Sequence, residues 1–312
     1  MFPLPKKLRH AIVGIDAVQS LLCAAGASAE TIKFGLGIDA AYAPFFVAQQ
    51  RGDFKKAGLD VELVRFTQGG EAVDALVAGQ IQVSGAAEMT TILRLPRGDL
   101  KPLAIYEESG TYIKLAVRPG ITSGSQIKKF GIVKGSSSEY ATYKAMQKFN
   151  IDPKSVQLVG SAPPELPALM ARGDIDGFMV WEPWPGIAVK QGGSILATSG
   201  EVGYTYAMLL TVSGKWLEAN KETAAKILKV LEESNKGIAA DPVKASQDLQ
   251  AATKLPAADT VGFLRDTKFK VRDFTPADVA SYGEIADFLV NQKISPVKVD
   301  ASKYLQQGFW KE

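Results

Sequence analysis

Residues 130–151, FGIVKGSSSEYATYKAMQKFNI, predict a strand, a polar turn and a helix in succession. The apolar run at residues 130–133 ends at Gly135, and the hydroxyls of residues 136–138 are typical of a helix N-cap. Apolar residues then recur every three or four positions, as on the buried face of a helix. The unpaired N–H groups and the dipole at such a helix start favour a small anionic or polar ligand, although a run of serines often only caps the helix.

The length and the N-terminal segment set the overall plan. With 312 residues, 46% of them hydrophobic, the chain is long enough for two domains with substantial cores. Residues 1–29 contain three basic side chains, then an apolar run, then Ala27-Ser28-Ala29, which predicts a secretory signal peptide cleaved after Ala29 and hence an exported protein. Lipoprotein processing at Cys23 is the alternative, but Leu22 before it is bulkier than that processing normally accepts.

Removal of this segment limits the available chemistry. His10 and Cys23 are the only histidine and cysteine in the sequence, and both lie within it. Their loss excludes Ser-His-Asp and Cys-His nucleophiles, disulfides and zinc bound by nitrogen and sulfur, so we expect no catalytic residue, no metal and no cofactor. Without the segment's three basic residues and one acid, 33 basic and 32 acidic side chains remain, which gives no electrostatic reason to expect nucleic acid as a partner.

Strands and helices alternate after residue 30, which predicts an α/β fold with largely parallel sheets. The predicted strands are residues 31–39, 59–66, 81–84, 103–106, 130–133, 156–159 and 177–180. The predicted helices between them are residues 40–50, 71–78, a segment from Glu88, a segment from Ser136, and 164–170. Beyond residue 211 only helices are expected, at residues 221–240, 242–254, 277–293 and 301–309.

A short echo between residues 75–81 and 168–175 indicates that two α/β lobes share one plan. We predict a first lobe from residues 30–115 and 212–312 and a second lobe from residues 116–211, with chain crossings near Lys114 and Val212. Because ligands of open α/β sheets bind at the carboxyl ends of the strands, the strand ends of both lobes would converge on one cleft.

In this order, the segments resemble the extracytoplasmic substrate-binding proteins of ABC importers. The group is the nitrate, sulfonate, taurine and bicarbonate binders, which includes binders of thiamine-pyrimidine precursors. The matching residues are Ala43-Pro44-Phe45-Phe46-Val47-Ala48, Gly58-Leu59-Asp60-Val61, Gly135-Ser136-Ser137-Ser138, Asp176-Gly177 and Val180-Trp181-Glu182-Pro183. The resemblance covers nearly all of residues 32–240. It implies the type II periplasmic-binding-protein fold, in which two α/β lobes joined by a two-crossing hinge enclose a ligand cleft. It also implies a monomer that delivers a small molecule to a membrane permease.

The resemblance further implies a set of ligand-binding residues. They are Ala40, Ala41, Tyr42, Gln68, Gly69, Ala87, Glu88, Ser136, Ser137, Ser138, Glu139, Trp181 and Glu182. Ser137 and Ser138 can hold an oxyanion, and Tyr42 and Trp181 can cover an apolar body.

Glu139 departs from the family pattern. Family members that bind sulfonates or nitrate often have histidine just after the serine turn, where this chain has Glu139. A carboxylate repels an oxyanion unless a cation intervenes, so an amine or a neutral heterocycle stays open as the ligand. Alternatively, Glu139 only caps the helix.

Other functions stay open from the sequence. Residues 35–40, GLGIDA, fit a dinucleotide-binding fingerprint, but the glycines fall inside the predicted strand rather than after it. Asp174 and Asp176 could bind a metal, although two carboxylates beside a glycine more often mark a turn. A sensory module built on the same fold is a third alternative.

Overall fold

Two mixed β-sheets organise residues 30–311, the part of the chain that the computed structural model describes. The predicted signal peptide, its cleavage site and Cys23 lie outside these residues. The strands are β1 (Ile32–Leu36), β2 (Val61–Arg65), β3 (Val83–Ala87), β4 (Leu100–Ser109), β5 (Ile113–Val117), β6 (Lys129–Ile132), β7 (Gln157–Gly160), β8 (Gly177–Trp181), β9 (Ser194–Thr198), β10 (Tyr206–Ser213) and β11 (Lys268–Arg272). The α-helices are α1 (Ala43–Arg51), α2 (Asp53–Lys56), α3 (Gly69–Val77), α4 (Glu88–Ile92), α5 (Ser137–Lys148), α6 (Leu166–Ala171), α7 (Trp184–Lys190), α8 (Gly214–Ala219), α9 (Lys221–Ala240), α10 (Pro242–Thr253), α11 (Ala257–Asp266) and α12 (Pro276–Asn291).

The sheets define two lobes within one unit that begins at Thr31. The first sheet has the order β11-β4-β10-β3-β1-β2 and forms the first lobe with its helices; the second has the order β7-β6-β8-β5-β9 and forms the second lobe. The predicted α/β class with two lobes is confirmed, but the expectation of largely parallel sheets is wrong. β10 runs antiparallel to β3 and β4, and β5 runs antiparallel to β8 and β9. The sequence analysis did not predict strands β5, β9, β10 and β11. Each of these four strands pairs antiparallel with a neighbouring strand.

The chain passes between the sheets twice. It leaves the first sheet after β4 and enters the second at β5, and it returns between β9 and β10. The predicted crossings near Lys114 and Val212 therefore fall inside β5 and β10 rather than between strands. The actual connections, residues 110–112 and 199–205, meet where the Gly200 N–H donates to the Gly110 carbonyl at 2.7 Å.

The C-terminal segment packs on the first lobe. In α9, Ser234 Oγ donates to the Pro44 carbonyl at 2.8 Å, and Asp248 of α10 pairs with Arg51 of α1 at 2.8 Å. The expectation that this segment contains no strand is wrong, because β11 pairs antiparallel with β4. The helix predicted at residues 301–309 is a single 3-10 turn, Ala301–Lys303, and Gly308 has a positive φ that an α-helix cannot accommodate.

Local sequence explains the helix that follows β1. Asp39 caps a 3-10 turn, Ala40–Tyr42, by accepting the Ala41 N–H, and Pro44 then occupies the first turn of α1. Gly52 ends α1 in the left-handed conformation, with φ of 73°. This arrangement holds Asp39 and Tyr42 at the carboxyl end of β1, which is where the candidate site lies.

Candidate functional site

A small cavity of about 30 Å³ lies between the two lobes, at the carboxyl ends of β1, β3 and β8. Both sheets contribute to its walls, through residues that follow strands and residues that begin helices. Its lining consists of Asp39, Ala41, Tyr42, Gln68, Gly69, Gly70, Ala87, Thr90, Tyr112, Ile113, Ser136, Ser137, Trp181, Tyr206 and Met208. Ligands of α/β proteins typically bind at such strand ends.

Two helices begin at this cavity, one in each lobe. Gln68 is the N-cap of α3, and Gly69 and Gly70 form its first turn; Ser136 is the N-cap of α5, and Ser137 is its first residue. The first-turn N–H groups of a helix have no partner within the helix, and the helix dipole adds partial positive charge there. The cavity thus presents a positive helix end from each lobe.

The three serines of the turn have different hydrogen-bond partners. Ser136 Oγ donates to the Val133 carbonyl at 2.7 Å and accepts the Ser138 N–H at 3.2 Å. Ser138 Oγ accepts the Val133 N–H at 3.3 Å and is fully buried. Ser137 lines the cavity, and its hydroxyl has no hydrogen-bond partner among the described residues. Only Ser137 therefore has a hydroxyl available to a ligand.

Asp39 places a buried carboxyl group in the cavity wall. Its side chain is only 7% exposed, and its Oδ1 accepts the Ala41 N–H at 3.0 Å and the Tyr112 hydroxyl at 2.9 Å. Burial raises the pKa of Asp39 to about 7, although these two hydrogen bonds act to lower it. Asp39 therefore changes its charge near neutral pH.

Four aromatic side chains line the cavity. They are Tyr42, Tyr112, Trp181 and Tyr206. Two glycines make room for the Tyr42 ring: a Cβ on Gly37 would lie 2.5 Å from Cε2 of Tyr42, and a Cβ on Gly69 would lie 2.6 Å from its hydroxyl. Tyr206 donates its hydroxyl to Oε1 of the fully buried Glu107 at 2.8 Å. The rings thus form a rigid apolar surface with fixed polar edges.

The sequence profile of the NMT1-like family matches residues 25–252, most of the chain. The protein belongs to the NMT1-like family. A taurine-binding periplasmic protein of Escherichia coli (strain K12) is 24% identical over 90% of this chain and 93% of its own length. A putative aliphatic sulfonates-binding protein of Bacillus subtilis (strain 168) is 23% identical over 98% and 97% of the two chains.

Solved structures of this NMT1-like protein's relatives show the same fold. The periplasmic aliphatic sulphonate binding protein SsuA from Escherichia coli superimposes with a TM-score of 0.79, at 19% identity, over 91% of this chain and 94% of its own. The predicted periplasmic-binding-protein fold is thereby confirmed.

The cavity brings together eight of the thirteen residues predicted as the binding set. They are Ala41, Tyr42, Gln68, Gly69, Ala87, Ser136, Ser137 and Trp181. The turn before α3 and the serine turn before α5 come from different lobes, and residues of both turns line this one cavity.

Two of the predicted acidic residues are not part of this lining. Glu88 is 1% exposed; its Oε1 accepts the Tyr204 hydroxyl at 2.6 Å and its Oε2 accepts the Ala207 N–H at 3.0 Å. Glu139 accepts the Gly135 N–H at 2.7 Å, in keeping with the capping alternative. Both carboxyl groups are occupied by backbone and tyrosine donors, which is why they do not reach the cavity.

Three other predicted residues also lie outside the cavity lining. Ser138 is turned toward Val133, as described above. Ala40 and Glu182 line a neighbouring apolar pocket, where the Glu182 carboxylate pairs with Lys114 at 2.7 Å. Residues in one turn point in different directions, so adjacency in sequence to a cavity residue does not bring each of them into the cavity.

Sequence reasoning missed seven lining residues, Asp39, Gly70, Thr90, Tyr112, Ile113, Tyr206 and Met208. Asp39 and Gly70 lie in the strand ends that were predicted to converge on the cleft, at residues 39–42 and 67–70, but the predicted binding set left them out. Tyr206 and Met208 lie on one face of β10, and the apolar run at residues 206–212 is a strand signal that was not used.

The structure gives packing roles to the residues of the rival patterns. Gly35 lies within β1, where a Cβ would come 2.3 Å from Cδ1 of Ile81, and Gly37 accommodates Tyr42. Asp176 pairs with Arg118 at 2.9 Å and accepts two backbone N–H groups.

Among residues 30–311, no group of three or more acidic, histidine or cysteine side chains is placed to hold a metal ion. No helix in the same described range has the length and apolar character needed to cross a bilayer.

Replacing Gly69 with alanine is expected to displace Tyr42. The new Cβ would lie 2.6 Å from the Tyr42 hydroxyl and 3.1 Å from Cβ of Ala86, and Tyr42 is buried. We expect a loss of about 1–3 kcal/mol in the free energy of unfolding, measured by urea titration. The control is Gly262→Ala in α11, where a Cβ meets no atom within 4 Å; it should gain about 0.5–1 kcal/mol. Equal stability of the two variants would contradict the close approach.

Proposed function

We propose that this protein is an extracytoplasmic solute-binding protein that captures a small oxyanion-bearing solute between its lobes and delivers it to an ABC importer. The observation that carries the proposal is the pair of helix N-termini, one per lobe, that begin at a single cavity. The family membership and the printed functions of the relatives, taurine and aliphatic sulfonate binding, support it.

The polar groups of the cavity suit an oxyanion. Ser137 offers a hydroxyl and a backbone N–H, and Gly69 and Gly70 offer backbone N–H groups from the opposite lobe. Oxygen atoms of a sulfonate, nitrate or carboxylate accept such hydrogen bonds, which are stronger when the acceptor is charged. A sulfonate is the first class to test, because the named relatives bind sulfonates.

We further propose that residues 110–112 and 199–205 form the hinge between the lobes. Arg94 of the first lobe donates from Nη1 to the Gly135 carbonyl of the serine turn at 3.3 Å, while its Nε and Nη2 donate to the Asp74 carboxylate. A ligand that contacts Gly69 and Ser137 at once favours the closed arrangement, since only that arrangement presents both. In this proposal the protein acts as a periplasmic monomer after removal of residues 1–29, with a membrane permease as its partner.

The test is calorimetry and thermal unfolding of the mature protein with a panel of sulfonates, nitrate, bicarbonate and small carboxylates. At least one anion should bind with 1:1 stoichiometry and raise the unfolding temperature, because it binds only the folded state. The variant Ser137→Ala should weaken that binding by about 1.5–3 kcal/mol, or about 10- to 150-fold.

The matched control is Ser138→Ala, whose hydroxyl is turned toward Val133 rather than the cavity. It should keep the wild-type affinity to within about twofold while losing some stability. The proposal fails if no anion of the panel binds, or if Ser137→Ala and Ser138→Ala lose the same affinity.

A further inference from the structure

Asp39 has one carboxylate oxygen that the protein leaves free. Its Oδ1 is used twice, by the Ala41 N–H and the Tyr112 hydroxyl. Its Oδ2 accepts no hydrogen bond from any described residue, although the side chain is 7% exposed and lines the cavity. A buried carboxylate with one oxygen unpaired and no cation beside it is unfavourable, so a positively charged group supplied by a ligand would lower that cost.

The surroundings of Asp39 also suit a cation. Tyr42, Tyr112, Trp181 and Tyr206 line the same cavity, and aromatic faces attract positive groups. None of the described lining residues is a lysine, arginine or histidine. Of the cations in the two lobes, Lys114 pairs with Glu182 at 2.7 Å and Arg94 with Asp74 at 3.0 Å. Within the described residues, no cationic side chain pairs with the Asp39 carboxylate.

We infer that Asp39 binds a positively charged ammonium group of the ligand, so that the solute is a zwitterion with its anionic end at Ser137. This inference rests on the proposed function and adds a contact for the cationic end of the ligand. The inference predicts that amino sulfonates and amino acids of similar length bind more tightly than nitrate, bicarbonate and simple alkane sulfonates, which lack the ammonium group.

The protonation of Asp39 gives the inference a second consequence. Without ligand, burial raises the pKa of Asp39 to about 7. The titratable side chains that interact with Asp39 electrostatically or by a hydrogen bond are Tyr42, Tyr106, Glu107, Tyr112 and Tyr206. Burial raises the pKa of each of these groups well above its usual range, so the tyrosines stay neutral at the pH values concerned and Glu107 is shifted toward its neutral form. Below pH 7, an ammonium ligand must displace a proton from Asp39, and its affinity should fall by up to tenfold for each pH unit.

The experiment compares three probes of similar size by calorimetry on the mature protein: taurine, isethionate and ethanesulfonate. They carry the same sulfonate with an ammonium, a hydroxyl or a methyl group at the other end. Wild-type protein should prefer taurine by at least tenfold over both analogues at pH 8. Asp39→Asn keeps an oxygen for Ala41 and Tyr112 but removes the charge; it should lose about 100-fold for taurine and stay within threefold for isethionate.

The outcomes separate the inference from the proposed function. If isethionate binds wild-type protein as tightly as taurine, the inference is wrong while the proposed function stands. If no oxyanion binds at all, the proposed function itself fails. Should Asp39→Asn not fold, wild-type protein decides the question between pH 8 and pH 5.5: taurine affinity must fall and isethionate affinity must not, and parallel pH profiles overturn the inference.

Discussion

The ligand-free protein is expected to be more stable at pH 5.5 than at pH 8, by about 4 kcal/mol. Two carboxyl groups of the first lobe, Asp39 and Glu88, account for this figure, and a third, Glu107, acts in the same direction. Burial raises the pKa of Asp39 to about 7 and that of Glu88 to about 7, and it raises the pKa of Glu107 well above its usual range. In the unfolded chain these groups lose their protons near pH 4.

The sign follows from the protons bound in each state. Between pH 5.5 and pH 8 the folded protein holds protons that the unfolded chain has released, so stability falls as the pH rises toward and through the folded pKa values. Carboxyl groups whose pKa is lowered in the folded state act in the opposite sense, but only at lower pH, where the unfolded chain takes up protons. The groups whose pKa is lowered are Glu108, Asp176, Glu201, Asp248, Asp278 and Asp300.

Urea titrations at half-unit pH steps on the mature protein would measure this slope. The Asp39→Asn variant serves as the control, because the amide retains an acceptor at Oδ1 and cannot ionise. Its stability should depend less on pH, and it should exceed the wild-type stability at pH 8. A wild-type stability that rises from pH 5.5 to pH 8 would mean that these acids are not buried in the way described.

Replacing Phe45 with alanine is expected to lower the free energy of unfolding by about 3–5 kcal/mol. The ring of Phe45 is fully buried in α1 and makes edge contacts with Phe34 at 6.1 Å and Tyr106 at 5.0 Å between ring centres. Its removal leaves a void next to Gly85, since Cε2 of Phe45 lies within 3.4 Å of the position that a Gly85 Cβ would take.

The matched control is Val243→Ala in α10, a side chain that is 52% exposed. A surface truncation of this kind should change stability by no more than about 0.5 kcal/mol. Because α1 follows directly on the segment that holds Asp39 and Tyr42, we also expect Phe45→Ala to weaken ligand binding. A loss below 1 kcal/mol would show that the core around α1 tolerates the void.

Local patterns identified many of the elements that form the cavity. The alternation in β1, the proline and glycine that bound α1 and the serines before α5 all act over a few residues, so sequence reasoning placed them within a few positions. It missed β5, β9, β10 and β11, whose places in the sheets depend on pairing with strands far away in the chain. It also placed the crossings inside β5 and β10 for this reason.

For the site, the sequence by itself determined that serine, glycine and glutamine residues at strand ends would be available to a ligand, because turn chemistry and helix starts are local properties. Only the tertiary structure decided which side chains face the cavity. It turned Ser138 and Glu139 toward the backbone of their own turn, enclosed Glu88 between Tyr204 and Ala207, and brought in Tyr206 from β10. The charge and orientation of such groups depend on burial and on partners distant in sequence, and these exist only once the two lobes have folded together.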